Sequence, residues 1–123
     1  MFTRVKESRN GEYLQVVENY REDGKVKQRL VKYVGHYESI DHALDQMRRE
    51  LPLARRRAAA AERSPWQAQR GRALREEANH LAAKLEGLRR FADEHPDVVE
   101  RDRARAERRA SQQLEARKKR REA

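Results

Sequence analysis

A chain of 123 residues with 41% charged and 37% hydrophobic side chains has material for a small core and extended helices, not for one large core. Its formal net charge of +9 and pI near 10.3 favour a polyanionic partner, DNA first and RNA second. The lack of cysteine excludes disulfides, thiolate catalysis and Cys-based zinc sites, and no apolar run approaches membrane-spanning length, so a soluble, cytoplasmic protein is expected.

The first segment reads as a three-stranded antiparallel β-meander. Residues 1–7, 12–21 and 25–34 are rich in β-type side chains and are separated by Asn10-Gly11 and Asp23-Gly24. Such steps favour type I′ hairpin turns, which need positive φ at both central residues. Taking each pair as a two-residue loop sets Arg9 opposite Glu12, Val5 opposite Val16, Glu22 opposite Lys25 and Val16 opposite Val31. Val5, Val16 and Val31 then form one packable face with Leu14 and Tyr33, where Glu18 meets Arg29 as a cross-strand ion pair. The other face carries Arg4, Lys6, Gln15, Asn19, Gln28 and Lys32 among Tyr13, Val17 and Leu30.

Ser39 reads as a helix N-cap. After it Ile40, Leu44, Met47, Leu51, Ala54, Ala58 and Ala61 alternate spacings of four and three, an a/d seam. The seam keeps phase across Pro52, which predicts one kinked helix and not two. Ser64-Pro65 is a second N-cap with proline at the first helical position. Leu74, Ala78, Leu81, Leu85, Leu88 and Ala92 repeat the same alternation up to a stop near His95-Pro96. A short joint between the two seams predicts an antiparallel, coiled-coil-like helical hairpin. Trp66 reads as a staple between those helices, with base stacking the other role open to it.

Residues 98–123 hold ten basic and five acidic side chains, so +5 of the net charge lies there. Their apolar stripe is thin (Val98, Val99, Ala106, Ala110 and Leu114), which predicts a solvated helix or a fluctuating arm ending in Arg117, Lys118, Lys119, Arg120 and Arg121.

No constellation for catalysis emerges. The five glycines are isolated, His36, His42, His80 and His95 lack metal-ligand spacing, and no cofactor motif is present. Asp41 and Asp45 beside His42 suit the positive end of a helix better than a metal. The better chemistry is recognition of nucleic acid. On the sheet, Arg4, Lys6, Gln15, Asn19, Gln28 and Lys32 have the donors and acceptors to read base edges in a major groove, with Lys25, Lys27 and Arg29 on flanking phosphates. The same face could instead be plain solvated sheet, or pack Val17 and Leu30 on the helices. The basic C-terminal run adds phosphate contacts that carry no sequence information. Exposed helix seams leave a homo-oligomer open, although Lys84 opposite Arg89 would disfavour parallel pairing.

The string Tyr13-Leu14-Gln15-Val16-Val17-Glu18-Asn19-Tyr20-Arg21-Glu22-Asp23-Gly24-Lys25-Val26-Lys27-Gln28-Arg29 resembles the opening of bacterial insertion-sequence DDE transposases of the IS4-like superfamily. In those chains a YLxLVESYREDGKVRQR-type segment runs into an LGxxxEL ending, and Tyr33-Val34-Gly35-His36-Tyr37-Glu38-Ser39 stands in that place here. The likeness covers about the first forty-five residues, a third of the chain. It implies a DNA-associated module from a mobile element. The family's catalytic acids lie in a downstream RNase H-like domain and have no counterpart here.

The expected architecture is α+β: a β-meander over residues 1–38, a helical hairpin over 39–96, and a basic helix or arm over 97–123. The expected function is non-enzymatic DNA binding, with no metal and no membrane. The alternative is a structural protein that oligomerises through its helical hairpin.

Overall fold

The computed structural model describes residues 1–122. Three strands, β1 (Phe2–Ser8), β2 (Gly11–Glu22) and β3 (Lys25–Gly35), form one antiparallel sheet in the order β1-β2-β3. Three helices follow: α1 (Ile40–Glu62), α2 (Ala68–Glu94) and α3 (Pro96–Glu122), with a 3-10 turn at Pro65–Gln67. The α+β class read from the sequence is therefore the observed one. The chain divides into two compact units, Met1–Asp41 with His95–Ala123, and His42–Glu94.

The two hairpins obey different turn chemistry. At the second, Asp23 and Gly24 take φ of 53° and 77°, so the type I′ loop forms and Glu22 faces Lys25. At the first, only Gly11 has positive φ, at 104°. Arg9-Asn10 therefore forms the loop, Ser8 pairs with Gly11, and the Ser8 hydroxyl donates to the Gly11 carbonyl at 2.8 Å. The pairing slides by two residues from the expected one: Val5 meets Leu14, and Thr3 meets Val16. A two-residue slide keeps every side chain on its face, so the error changes neighbours and not burial.

The pairing of β2 with β3 contains two irregularities. Val17 faces Leu30 but Val16 faces Lys32, which leaves Val31 as an extra residue, and Val34 is similarly extra between Tyr33 and Gly35. Each extra residue reverses the alternation of β3. The expected row of Val5, Val16 and Val31 is thereby broken. Lys32 crosses to the side of Thr3 and Val16, and Tyr33 joins Tyr13 with ring centroids 5.4 Å apart.

Helix α3 covers the Thr3 side of the sheet. Val98 and Val99 are buried, as are Leu14 and Val16. Burying each such side chain stabilises by about 1.5–3 kcal/mol. At the centre lies Asp102, only 1% exposed. Its carboxylate accepts from the Thr3 hydroxyl at 2.6 Å, from the Ile40 amide at 2.7 Å, and from Arg105 Nη2 at 2.9 Å and Nε at 3.2 Å. The first amide of α1 is thus satisfied by a side chain from the far end of the chain, next to Ser39 in its N-cap position. Around this centre Arg103 bonds Asp41 at 2.5 and 3.2 Å, Arg105 Nη2 donates to the Glu38 carbonyl at 2.6 Å, and Arg109 grips Glu12 at 2.6 and 2.7 Å. Of the two forms expected for this segment, helix or arm, the helix is the observed one, and its first half is docked on the sheet. Residues 110–122 of it are exposed throughout.

In the second unit α1 runs unbroken through Pro52, and Met47, Leu51, Ala58 and Ala61 of its seam are buried. Ser64 is extended and Pro65 follows it, but the Ser64 side chain makes no cap bond and a 3-10 turn intervenes before α2. The first turns of α2 return beside the end of α1: Gly71 sits against Ala61 and Glu62, and Arg75 pairs with Glu62. Trp66 does not staple the helices; it is 94% exposed.

Candidate nucleic-acid interface

The last β1–β2 pair is Phe2 with Val17, so beyond it only β2 and β3 continue. From Glu18 opposite Arg29 to Glu22 opposite Lys25 the sheet narrows to a two-stranded ribbon. Residues 21–30 are all exposed. Five pairs at about 3.4 Å rise give a ribbon about 15 Å long. A B-DNA major groove, about 12 Å wide, admits such a two-stranded element.

Directly opposed residues project to the same side of an antiparallel pair. One side of the ribbon therefore carries Asn19 with Gln28 and Arg21 with Val26. It has no acidic residue. The other side carries Glu18, Tyr20, Glu22, Lys25, Lys27 and Arg29. There Arg29 bonds Glu18 at 3.1 Å and lies 5.2 Å from the Tyr20 ring centroid, while Lys27 pairs with Glu22 at 3.3 Å. The Glu18–Arg29 pair read from the sequence is present. These pairs are exposed and leave their cations available to phosphate exchange.

The polar row read across the three strands is only partly presented to solvent. Gln15 is buried, at 6% exposure. Arg4 is half-buried; its Nε donates to Gln15 Oε1 at 2.6 Å and its Nη1 to Gln28 Oε1 at 2.8 Å. Arg4 and Gln15 thus brace the root of the ribbon and fix the Gln28 amide. Lys6, Asn19 and Gln28 are exposed, and Lys32 lies on the opposite side because of the Val31 irregularity. Burial of Gln15 follows from its position in the central strand, flanked by the Tyr13–Tyr33 pair.

Arg117, Lys118, Lys119, Arg120 and Arg121 occupy the final turns of α3, all exposed. Cations suit the negative end of a helix. From residue 110 the helix extends roughly 20 Å at 1.5 Å per residue with every side chain in solvent.

Two residues were missed in the sequence. Arg21 shares the acid-free side of the ribbon, and the period-two alternation from Asn19 carries that information. Asp102 had no such signal, because it is one acid in a basic run and its partners Thr3 and Ile40 are 99 and 62 residues away.

Among the described residues no three His, Asp or Glu side chains cluster as a metal site, and no helix is long and apolar enough to cross a membrane. Neither the curated proteins nor the solved structures give a match. Residues 3–64, half of the chain, match the N-terminal domain of IS1634 family transposases. The matched stretch spans the sheet from Thr3 onward, the ribbon and α1. With half of its length matched, the chain belongs to the IS1634 family transposase N-terminal domain.

Proposed function

We propose that this chain is a non-enzymatic DNA-binding module whose β2–β3 ribbon enters the major groove. The carrying observation is the acid-free side of the ribbon, where Asn19, Arg21 and Gln28 stand together and exposed. Arg forms paired hydrogen bonds with guanine, and Asn or Gln with adenine. Lys25, Lys27 and Arg29 on the other side, with Lys32 near the root and Lys6 further back along β1, contact phosphates and set the register. Arg4 and Gln15 act as supports. The basic end of α3 (Arg117, Lys118, Lys119, Arg120 and Arg121) adds affinity through released counterions. Membership of the wider IS4-like DDE superfamily, suggested by the Tyr13–Arg29 string, and a cytoplasmic location accord with this reading.

The test is selection of duplexes from a random pool, followed by anisotropy titrations at two salt concentrations with duplex DNA and duplex RNA. A selected consensus and a steep fall of affinity with salt are expected. Arg21→Ala should cost about 1–3 kcal/mol and relax preference at one base pair. Lys27→Ala should weaken all sequences alike and lower the salt slope by about 1. No binding at low salt, or Arg21→Ala without effect on the consensus, removes the ribbon from the argument. Equal affinity for duplex RNA removes groove reading, since the A-form major groove is too deep and narrow.

A second reading rests on Leu53 and Leu114, which are 48% and 57% exposed on helices α1 and α3. Self-association through the helices would cover them. Light scattering separates the two: a stable oligomer with no nucleic-acid affinity supports this second reading.

A further inference from the structure

The positive charge of the chain is not concentrated on the sheet. Residues 1–52 carry a net charge of only +1, whereas residues 53–75 carry seven arginines against one acid, a net of +6. This second stretch is the corner of the second unit: the last turns of α1, the 3-10 turn and the first turns of α2. Its one acid, Glu62, is already paired with Arg75. Arg55, Arg56, Arg57, Arg63, Arg70 and Arg72 are all exposed, and none of these six side chains makes a hydrogen bond or ion pair among the described residues. Successive residues on a helix are rotated by about 100°, so Arg55, Arg56 and Arg57 spread around α1 in its last turns but one and do not form a single stripe.

At the tip of this arginine collar stands Trp66. It is 94% exposed, the largest exposure among the big hydrophobic side chains, and it is the chain's single tryptophan. Its backbone is fixed: Pro65 precedes it, and the Gln67 amide donates to the Ser64 carbonyl at 3.1 Å. The close approach of Gly71 to Ala61 and Glu62 holds the two helix ends together behind it. A rigidly mounted, solvent-facing indole has a large apolar face to cover, and the surrounding charge selects an anionic partner. The flat face matches an unpaired base, and the guanidinium collar matches the flanking phosphates. A continuous duplex presents phosphates and base edges to a convex tip, but no base face.

We infer that the α1–α2 corner is a second nucleic-acid site, specific for single-stranded DNA, in which Trp66 stacks on an unpaired base while the arginines hold the backbone. It lies in a different unit from the ribbon and does not rest on the ribbon reading.

Trp66 is its own probe. The full chain is titrated with an oligothymidylate and, separately, with a duplex whose ends are closed by hairpin loops of non-nucleotide linker. Tryptophan emission and the anisotropy of a label on the DNA are both recorded. The oligothymidylate should quench emission in step with the anisotropy, and the closed duplex should leave emission unchanged. Trp66→Ala should reduce single-strand affinity by about 5- to 150-fold, the loss of one stacked base. Trp66→Phe should keep most of it. Replacing Arg55, Arg56 and Arg57 together by alanine should flatten the single-strand salt slope by up to about 2. A circular dichroism spectrum unchanged in Trp66→Ala is expected of a side chain that packs on nothing. Repeating the titration in Arg21→Ala separates the two sites: quenching persists whatever becomes of duplex binding. Single-strand binding with unchanged emission, equal quenching by the closed duplex, Trp66→Ala with native affinity, or no single-strand binding at low salt each overturns the assignment.

Discussion

Replacing Asp102 with alanine removes the acceptor on which three segments of the chain converge. The Thr3 hydroxyl, the Ile40 amide and the Arg105 guanidinium would all lose their partner at once. Asp102 is 1% exposed and the Arg105 side chain 19%, so water replaces these bonds poorly. A buried donor left unsatisfied costs about 1–3 kcal/mol. Breaking a buried ion pair from one side costs about 3–5 kcal/mol. The expected loss for Asp102→Ala is therefore about 3–5 kcal/mol, a large part of the 5–15 kcal/mol typical of a domain. Asp102→Asn keeps the shape and one acceptor oxygen but turns two N–H donors toward Thr3 and Arg105, so it should fall between the two. Adding Arg105→Ala to Asp102→Ala should cost less than the separate losses together, because no unpaired guanidinium remains. Urea unfolding followed by circular dichroism gives the free energies. Amide hydrogen exchange localises the effect, and protection should fall first at Thr3, Val16 and the opening turn of α1. An Asp102→Ala chain within 1 kcal/mol of the parent, or a strictly additive double mutant, would refute the picture of one shared buried acceptor.

Three further outcomes are expected. A Cβ at Gly71 would stand 3.1 Å from the Glu62 backbone nitrogen, so Gly71→Val should force the helix ends apart and cost about 1–3 kcal/mol, measured as a lower thermal midpoint; Trp66 emission should change with it. Gly24 has φ of 77°, and Gly24→Ala should cost about 1–2 kcal/mol while Gly24→Asn costs less, read by urea unfolding and by amide exchange at Lys25 and Val26. The Glu86 carboxyl is held below the ordinary glutamate range, chiefly by its hydrogen bond from Arg89 and further by Arg90. A depressed folded-state value means that this contribution is fully present above the unfolded value and fades as pH falls through the folded one. An NMR titration of Glu86 should therefore show a low midpoint that returns to the ordinary range in Arg89→Gln with Arg90→Gln.

The local architecture of this chain was legible because it depends on neighbours in sequence. Asp23-Gly24 dictated its own turn, since an aspartate and a glycine tolerate positive φ, and the Glu22–Lys25 and Glu18–Arg29 pairs followed from it. The four-three spacing from Ile40 to Ala61 dictated a helix that carries Pro52 without breaking. Asn10-Gly11 misled because a glycine just after a turn and a glycine within one look alike in sequence. Only the φ of Gly11 distinguishes them, and the pairing moved by two. The extra residues Val31 and Val34 left no signal either, yet they transferred Lys32 and Tyr33 between faces. For the interface, alternation along β2 placed Asn19 and should have placed Arg21 beside it. Burial of Gln15 depends on what covers the central strand, and a strand's own sequence does not encode its covering.

Composition, turn residues and periodicity thus determined three strands, the helices and an excess of cations. The tertiary structure decided which of those cations are free. Arg103 and Arg109 are spent on Asp41 and Glu12, residues brought within reach only when α3 folds back, and Arg105 pairs within its own helix with Asp102, whereas Arg21 and the arginines around Trp66 remain in solvent. The physical reason is range: backbone preference acts over a few residues, but a guanidinium is neutralised by whatever acid the fold delivers to within 4 Å.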